Sequence, residues 1–195
     1  MFAHSAILNT IKQQLYESSE IKKLMAERLS EKIAEAAMVI TDCIRSGGKV
    51  IFFGNGGSAA DAQHLAGELV GRFKTERSAF PALSLTTNTS IITAISNDYG
   101  YNMIFARQIE AYAREEDVIV GISTSGNSIN VIEGMRKAKQ ISAKTIGLTG
   151  GDGGKIVEVA DVVLIVPSSD TPRIQEGHIT IGHIICDIVE NFLTL

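Results

Sequence analysis

Between Lys49 and the carboxyl terminus, short apolar runs alternate with polar turns and longer stretches of helical character. This rhythm limits the possible folds more than any other feature of the chain. The runs Val50–Phe53, Ala82–Leu85, Asp117–Ile122, Thr145–Leu148 and Val162–Val166 are dominated by Val, Ile, Leu and Phe and read as strands. Helices are predicted over 58–73, Thr87–Ser96, 101–114, from the 123–128 turn to about Gln140, briefly after Gly154, and over 172–193, with Pro172 in the first turn of the last. Asn97-Asp98-Tyr99-Gly100 reads as a turn. Strands separated by helices predict an α/β fold, a five-stranded parallel sheet flanked by helices on both faces. In such sheets ligands bind beyond the carboxyl ends of the strands, so the polar turns gather on one edge.

Residues 1–46 precede this rhythm and are helical in pattern. Ile7, Ile11 and Leu15, then Leu29, Ile33, Ala37, Ile40 and Ile44, recur at helical spacing. Ser18-Ser19-Glu20 predicts a break between two helices, and Gly47-Gly48 a stop. An amphipathic extension of this kind suits packing between subunits, and packing on its own domain is an equally physical use. No linker or low-complexity tract follows. The expected organisation is an extension over 1–46 and an α/β domain over 47–195, forming one structural domain.

The formal charge of −4 leaves no basic footprint, so no nucleic-acid partner is expected. No run is long and apolar enough to span a bilayer, and no leader pattern opens the chain, so a cytoplasmic protein without membrane contact is expected. Cys43 and Cys186 lie in apolar helical contexts, match no metal spacing, and read as small buried residues.

Two turns carry the chemistry. Gly54-Asn55-Gly56-Gly57 closes the first strand, and an Ala-rich helix follows with Ser58 placed to cap it. The free N–H groups of a first helical turn make an anion site there. The second turn, 123–128, holds Ser123, Thr124, Ser125 and Ser128, four hydroxyls in six residues. It lacks the Gly-Lys-Ser/Thr ending of a P-loop, and the first turn lacks the spacing of a dinucleotide fingerprint. A hydroxyl-lined turn at a helix start binds a phosphate monoester with neutral donors alone.

His64 and Glu68 stand four residues apart on one helix face, as either a surface pair or a pair of metal ligands. On the last helix Gln175 and His183 are eight residues apart, about two turns, and face roughly the same way. Two helices each offering such a pair can close one site. His178 lies on another part of that helix and is expected at its surface or at an interface. Arg72, one turn beyond Glu68, either steadies the carboxylate or substrate or is a surface residue, and segment 74–81 reads as a surface loop to which no role is assigned.

The blocks Gly54-Asn55-Gly56-Gly57-Ser58-Ala59-Ala60-Asp61-Ala62-Gln63-His64, Ala94–Gly100, Ser123–Ser128 and Arg173-Ile174-Gln175-Glu176-Gly177-His178 resemble, in order and over nearly the whole chain, the bacterial phosphoheptose isomerases of the sugar isomerase (SIS) domain family. The resemblance implies a flavodoxin-like sheet and conversion of sedoheptulose 7-phosphate to D-glycero-D-manno-heptose 7-phosphate, the first step towards lipopolysaccharide heptose. It implies one zinc ion held by His64, Glu68, Gln175 and His183. Asn55, Gly56, Gly57, Asn97, Asp98, Ser123, Thr124, Ser125 and Ser128 would hold the sugar phosphate, with Glu68 and Gln175 also touching it. It further implies a homotetramer with sites between subunits. Glu68 would then be the base that moves a proton between C1 and C2, and His183 the acid serving the oxygens.

Two rivals share the scaffold. One is a non-catalytic SIS protein that binds the replication initiator; the other is a sugar-phosphate sensor. The first departs from the pattern where this chain has Glu68 and His183, which favours the enzyme. The second needs the phosphate turns but no base.

Overall fold

A computed structural model describes residues 2–194. Its strands are β1 (Val50–Gly54), β2 (Ala82–Ser84), β3 (Val118–Ile122), β4 (Lys144–Gly150) and β5 (Val162–Val166). Its helices are α1 (Phe2–Arg45), α2 (Gly57–Val70), α3 (Thr89–Tyr99), α4 (Ile104–Tyr112), α5 (Ile129–Gln140) and α6 (Thr171–Thr194), with 3₁₀ turns at Tyr101–Met103 and Gly154–Glu158. The strands form one parallel sheet in the order β2-β1-β3-β4-β5. The chain order reverses between β1 and β3. That is the switch point where sheets of this kind open a crevice for ligands.

Period-two alternation divides the core into two layers. Val50 and Phe52 pack with Ile40 of α1, Leu65 and Leu69 of α2, and Ile181 of α6. Ile51 and Phe53 face the other way, onto Ile104, Phe105 and Ile109 of α4 and Met135 of α5. The rings of Phe53 and Phe105 lie 4.9 Å apart. Covered on both faces, the strands are apolar at nearly every position, which explains why they read as continuous runs. Cys43 and Cys186 are free and buried, as expected, and burial pushes their thiols up to about 11 and about 12.

The expected break at Ser18-Ser19-Glu20 does not exist, because α1 runs unbroken from Phe2 to Arg45. Ser18 and Glu20 find partners along the helix instead of competing for its backbone. Lys22 Nζ donates to Ser18 Oγ at 2.9 Å, and Lys23 pairs with Glu20 at 2.7 Å. Neither position holds Gly or Pro, the residues that cost a helix most. From Met25 to Cys43 the apolar stripe of α1 joins the core. Its amino-terminal half stands away, with Ile7 at 58%, Ile11 at 49% and Leu15 at 66% exposure.

Three further boundaries differ from the expectation. α2 stops at Val70 rather than 73. α3 runs through Asn97 and Asp98 to Tyr99, so the expected turn is its last helical turn. The expected helix over 101–114 is a 3₁₀ turn followed by α4. Among the described residues, no helix is long and apolar enough to cross a membrane.

Candidate active site

The carboxyl ends of β1 and β3 are neighbours, with Gly54 paired to Ile122, so the two polar turns lie side by side. Gly56 sits at φ 56°, in the left-handed region that favours glycine, and stands as the N-cap of α2. Ser58 is therefore inside the helix, not its cap, and it is buried. No side chain caps α2 or α5, whereas Asn88 accepts the N–H of Ile91 at the start of α3. Two helix amino-termini without side-chain caps, meeting at one crevice, aim backbone N–H groups and positive dipole ends at the same place. Ser123 Oγ donates to Ser128 Oγ at 3.0 Å, which sets two of the hydroxyls across the mouth of the second turn. Thr124 is fixed through its carbonyl, which accepts the N–H of Gly150, and Ser125 Oγ accepts the N–H of Asn127.

The turns are joined through Asn55 by two residues without a sequence signal, Asn130 and Tyr101. The amides of Asn55 and Asn130 bond reciprocally, at 2.8 and 2.9 Å, and Tyr101 Oη donates to Asn55 Oδ1 at 3.0 Å. Asn130 is buried at 3% exposure on the first turn of α5. The Asn55 side chain thus acts as a clamp, leaving the backbone of its turn to face a ligand. Asn97 and Asp98 bond to one another at 2.8 Å on the exposed last turn of α3.

The helices α2 and α6 lie side by side in the same direction. Gln175 stands over Gly57, Leu65 packs on Gly182, and His64 meets His183. A side chain at Gly57 would run into the Gln175 amide. His64 Nε2 lies 2.9 Å from His183 Nε2 and 3.0 Å from Glu68 Oε1. The donor atoms of His64, Glu68 and His183 all lie within 4.8 Å of one another. One proton on His64 Nε2 satisfies only one of these two contacts. Two imidazole nitrogens and a carboxylate oxygen converging in this way are a donor set suited to zinc. Gln175 belongs to the other end of this stripe, about 12 Å before His183 along α6, between the Gly-rich turn and the trio.

Asp61 lies on the same stripe, one turn before His64. Its Oδ2 is buried without a partner, and burial pushes its carboxyl up to about 6 against the opposing pull of His64. His178 is fully buried rather than at a surface: Nε2 donates to the carbonyl of Thr149 at 3.1 Å, and burial lowers its pKa to about 4. Arg72 is exposed and pairs with Glu76, as expected of a surface residue. The segment after α2 is not a free loop. Glu190 of α6 accepts the N–H groups of Phe73, Lys74 and Thr75 and pairs with the buried Arg77 at 3.0 Å. Burial alone would raise the Glu190 carboxyl; the three N–H groups and Arg77 overcome it and bring it to about 2.

The SIS-domain model matches residues 15–150. A phosphoheptose isomerase of Geotalea daltonii is 54% identical over 96% of this chain and 97% of its own length. The chain belongs to the phosphoheptose isomerase family of SIS domains. The corresponding protein of Aquifex aeolicus is 51% identical over 96% of this chain and 98% of its own length. Among solved structures, a phosphoheptose isomerase from Neisseria gonorrhoeae aligns with TM-score 0.90 and 43% identity, covering 95% of this chain and 99% of that one. Another, from Francisella tularensis, aligns at 0.91 with 38% identity, covering 94% and 98%. The SIS fold and the helical amino-terminus are common to all three structures.

Proposed function

We infer that this chain catalyses the phosphoheptose isomerase reaction, turning sedoheptulose 7-phosphate into D-glycero-D-manno-heptose 7-phosphate through a cis-enediol(ate). The observation that carries the reading is the convergence of His64 and Glu68, on the helix that starts at the phosphate-type turn, with His183 of α6. Relatives at about half identity over the full length supply the substrate.

The ketose has its carbonyl at C2 and the labile hydrogen on C1. Ser123, Thr124, Ser125, Ser128 and the backbone of Asn55, Gly56 and Gly57 hold the phosphate, and Asn97, Asp98 and Gln175 close on the sugar. Glu68 removes the C1 proton and returns it to C2. His183 serves O1 and O2, moving the hydroxyl proton from O1 to O2 as the carbonyl passes from C2 to C1. Positioned acid–base groups of this kind contribute about 10²–10⁴-fold. His64, Glu68 and His183 would hold one zinc ion, and Gln175, whose amide lies against Gly57, is left to the sugar. When bound, zinc supplies Lewis-acid polarisation of the substrate oxygens. A replication-initiator binder or a sensor has no use for a base at Glu68, and nothing in the geometry favours either.

The remaining parts of the reading follow from the same likeness. The exposed stripe of Ile7, Ile11 and Leu15 on the 1–46 extension supports a homotetramer with sites completed between subunits; light scattering should give four times the chain mass. The protein works in the cytoplasm and supplies heptose to lipopolysaccharide, so cell fractionation should find it there and gene loss should remove core heptose.

The deciding experiment is to incubate zinc-replete protein with sedoheptulose 7-phosphate and follow the sugar by NMR. An aldose heptose 7-phosphate is expected. Unchanged ketose over many hours would refute the enzyme reading.

A further inference from the structure

The strap from Phe73 to Arg77 has no part in the reaction as described, yet it joins the two helices that build the metal-ligand trio. Glu190 lies two turns past His183 on α6 and is buried at 2% side-chain exposure. It accepts from Phe73 N at 2.9 Å, Lys74 N at 2.8 Å, Thr75 N at 2.7 Å and Arg77 Nε at 3.0 Å. Arg77, at 3% exposure, spends its other N–H groups on the end of α2 and on the chain just after itself. Nη2 donates to the carbonyl of Glu68 at 3.0 Å, and Nη1 to the carbonyls of Leu69 and Ser78 at 3.0 Å. One guanidinium thus links the backbone of the candidate base to the helix that carries His183. Two more contacts close the strap on that helix. Lys74 Nζ pairs with Asp187 at 3.0 Å, one turn past His183, and the Phe73 ring lies 5.6 Å from the His183 ring.

A buried ion pair is a poor device for stability alone, since apolar side chains of like volume do as well or better. It is a good device for geometry, because the planar guanidinium holds its acceptors in fixed directions. We propose that the Phe73–Arg77 strap, locked by Glu190, is a positioning device that sets His183 against His64 and Glu68 and so determines the affinity of the metal site. The proposal rests on the metal reading above. Groups that orient metal ligands from behind typically change affinity by about 10–100-fold when removed.

The test compares wild type with Glu190→Gln and Phe73→Ala, using Glu76→Ala as a control, because the Glu76 side chain is 90% exposed and lies outside the lock. Co2+ is titrated into metal-free protein and read by visible absorption, with circular dichroism and melting recorded alongside. Phe73 is only half-buried, so Phe73→Ala keeps the measurement available if Glu190→Gln does not fold. Wild type and Glu76→Ala should bind Co2+ alike, and each folded strap variant should bind at least about 10-fold more weakly, with an altered spectrum. Strap variants that bind as wild type does would overturn the proposal while leaving the metal reading intact, even if they melt earlier. A wild type that takes up no Co2+ would overturn both.

Discussion

His64 and His183 bring their Nε2 atoms to 2.9 Å although 119 residues of chain separate them. The approach follows from the parallel course of α2 and α6, in which Leu65 fills the space left by Gly182. With Glu68 Oε1 3.0 Å from the same His64 nitrogen, the trio has more acceptors than protons to share. A cation resolves that conflict. Chelation should therefore abolish turnover and destabilise the protein, and zinc should restore both. With zinc at about a hundredfold over its Kd the linkage is about 2.7 kcal/mol, roughly 5–10 °C in melting temperature for a chain of this size. Melting scans with and without chelator check it.

The phosphate cradle should fail in substrate affinity before it fails in chemistry. Ser128→Ala removes one of the two hydroxyls bonded across the second turn. A lost neutral hydrogen bond is worth about 0.5–1.5 kcal/mol, so KM should rise by about 2- to 12-fold with kcat little changed. Asn130→Ala should do more, because it strands the half-buried Asn55 amide nitrogen, while Tyr101→Phe should do less, because Asn55 keeps its Asn130 partner. Steady-state kinetics on the three variants checks that order.

Acid should destabilise the fold in two windows. His178 has its folded pKa lowered from 6.5 to about 4 by burial, so the unfolded chain binds the extra proton. Its contribution is fully present above pH 6.5 and is lost as pH falls towards 4, about 3 kcal/mol in all. Glu190 is depressed from 4.5 to about 2, so its contribution holds above pH 4.5 and is lost as pH falls through 2. His178→Asn should flatten the upper window and leave the lower one. Urea unfolding as a function of pH shows whether it does.

Features local in sequence were legible, and those made by distant packing were not. The strands, the two polar turns and the i,i+4 pair of His64 and Glu68 can be read from neighbours alone. The meeting of that pair with His183 was inferred from likeness and from face matching, and the trio is found together. Gln175 was grouped with it by helical spacing, but lies nearer the Gly-rich turn because two helical turns separate it from His183. His178 was misplaced because a polar residue on an amphipathic helix does not reveal a carbonyl waiting at the end of β4. The strap was missed for the same reason: its Lys, Glu and Arg look like a solvated loop until Glu190 is seen to collect three of its N–H groups. Ser18-Ser19-Glu20 has the polarity of a break, but Ser18 and Glu20 pair with Lys22 and Lys23 along a continuous helix.

The central claim is that Glu68 carries the proton between C1 and C2. Its most direct test is exchange of the C1 hydrogen of sedoheptulose 7-phosphate with deuterated water, measured by NMR for zinc-replete wild type and Glu68→Gln. The account predicts exchange and aldose formation by wild type, and a loss of about 10²–10⁴-fold in both for a Glu68→Gln protein that keeps its melting temperature within a few degrees. Exchange by Glu68→Gln at the wild-type rate would contradict it.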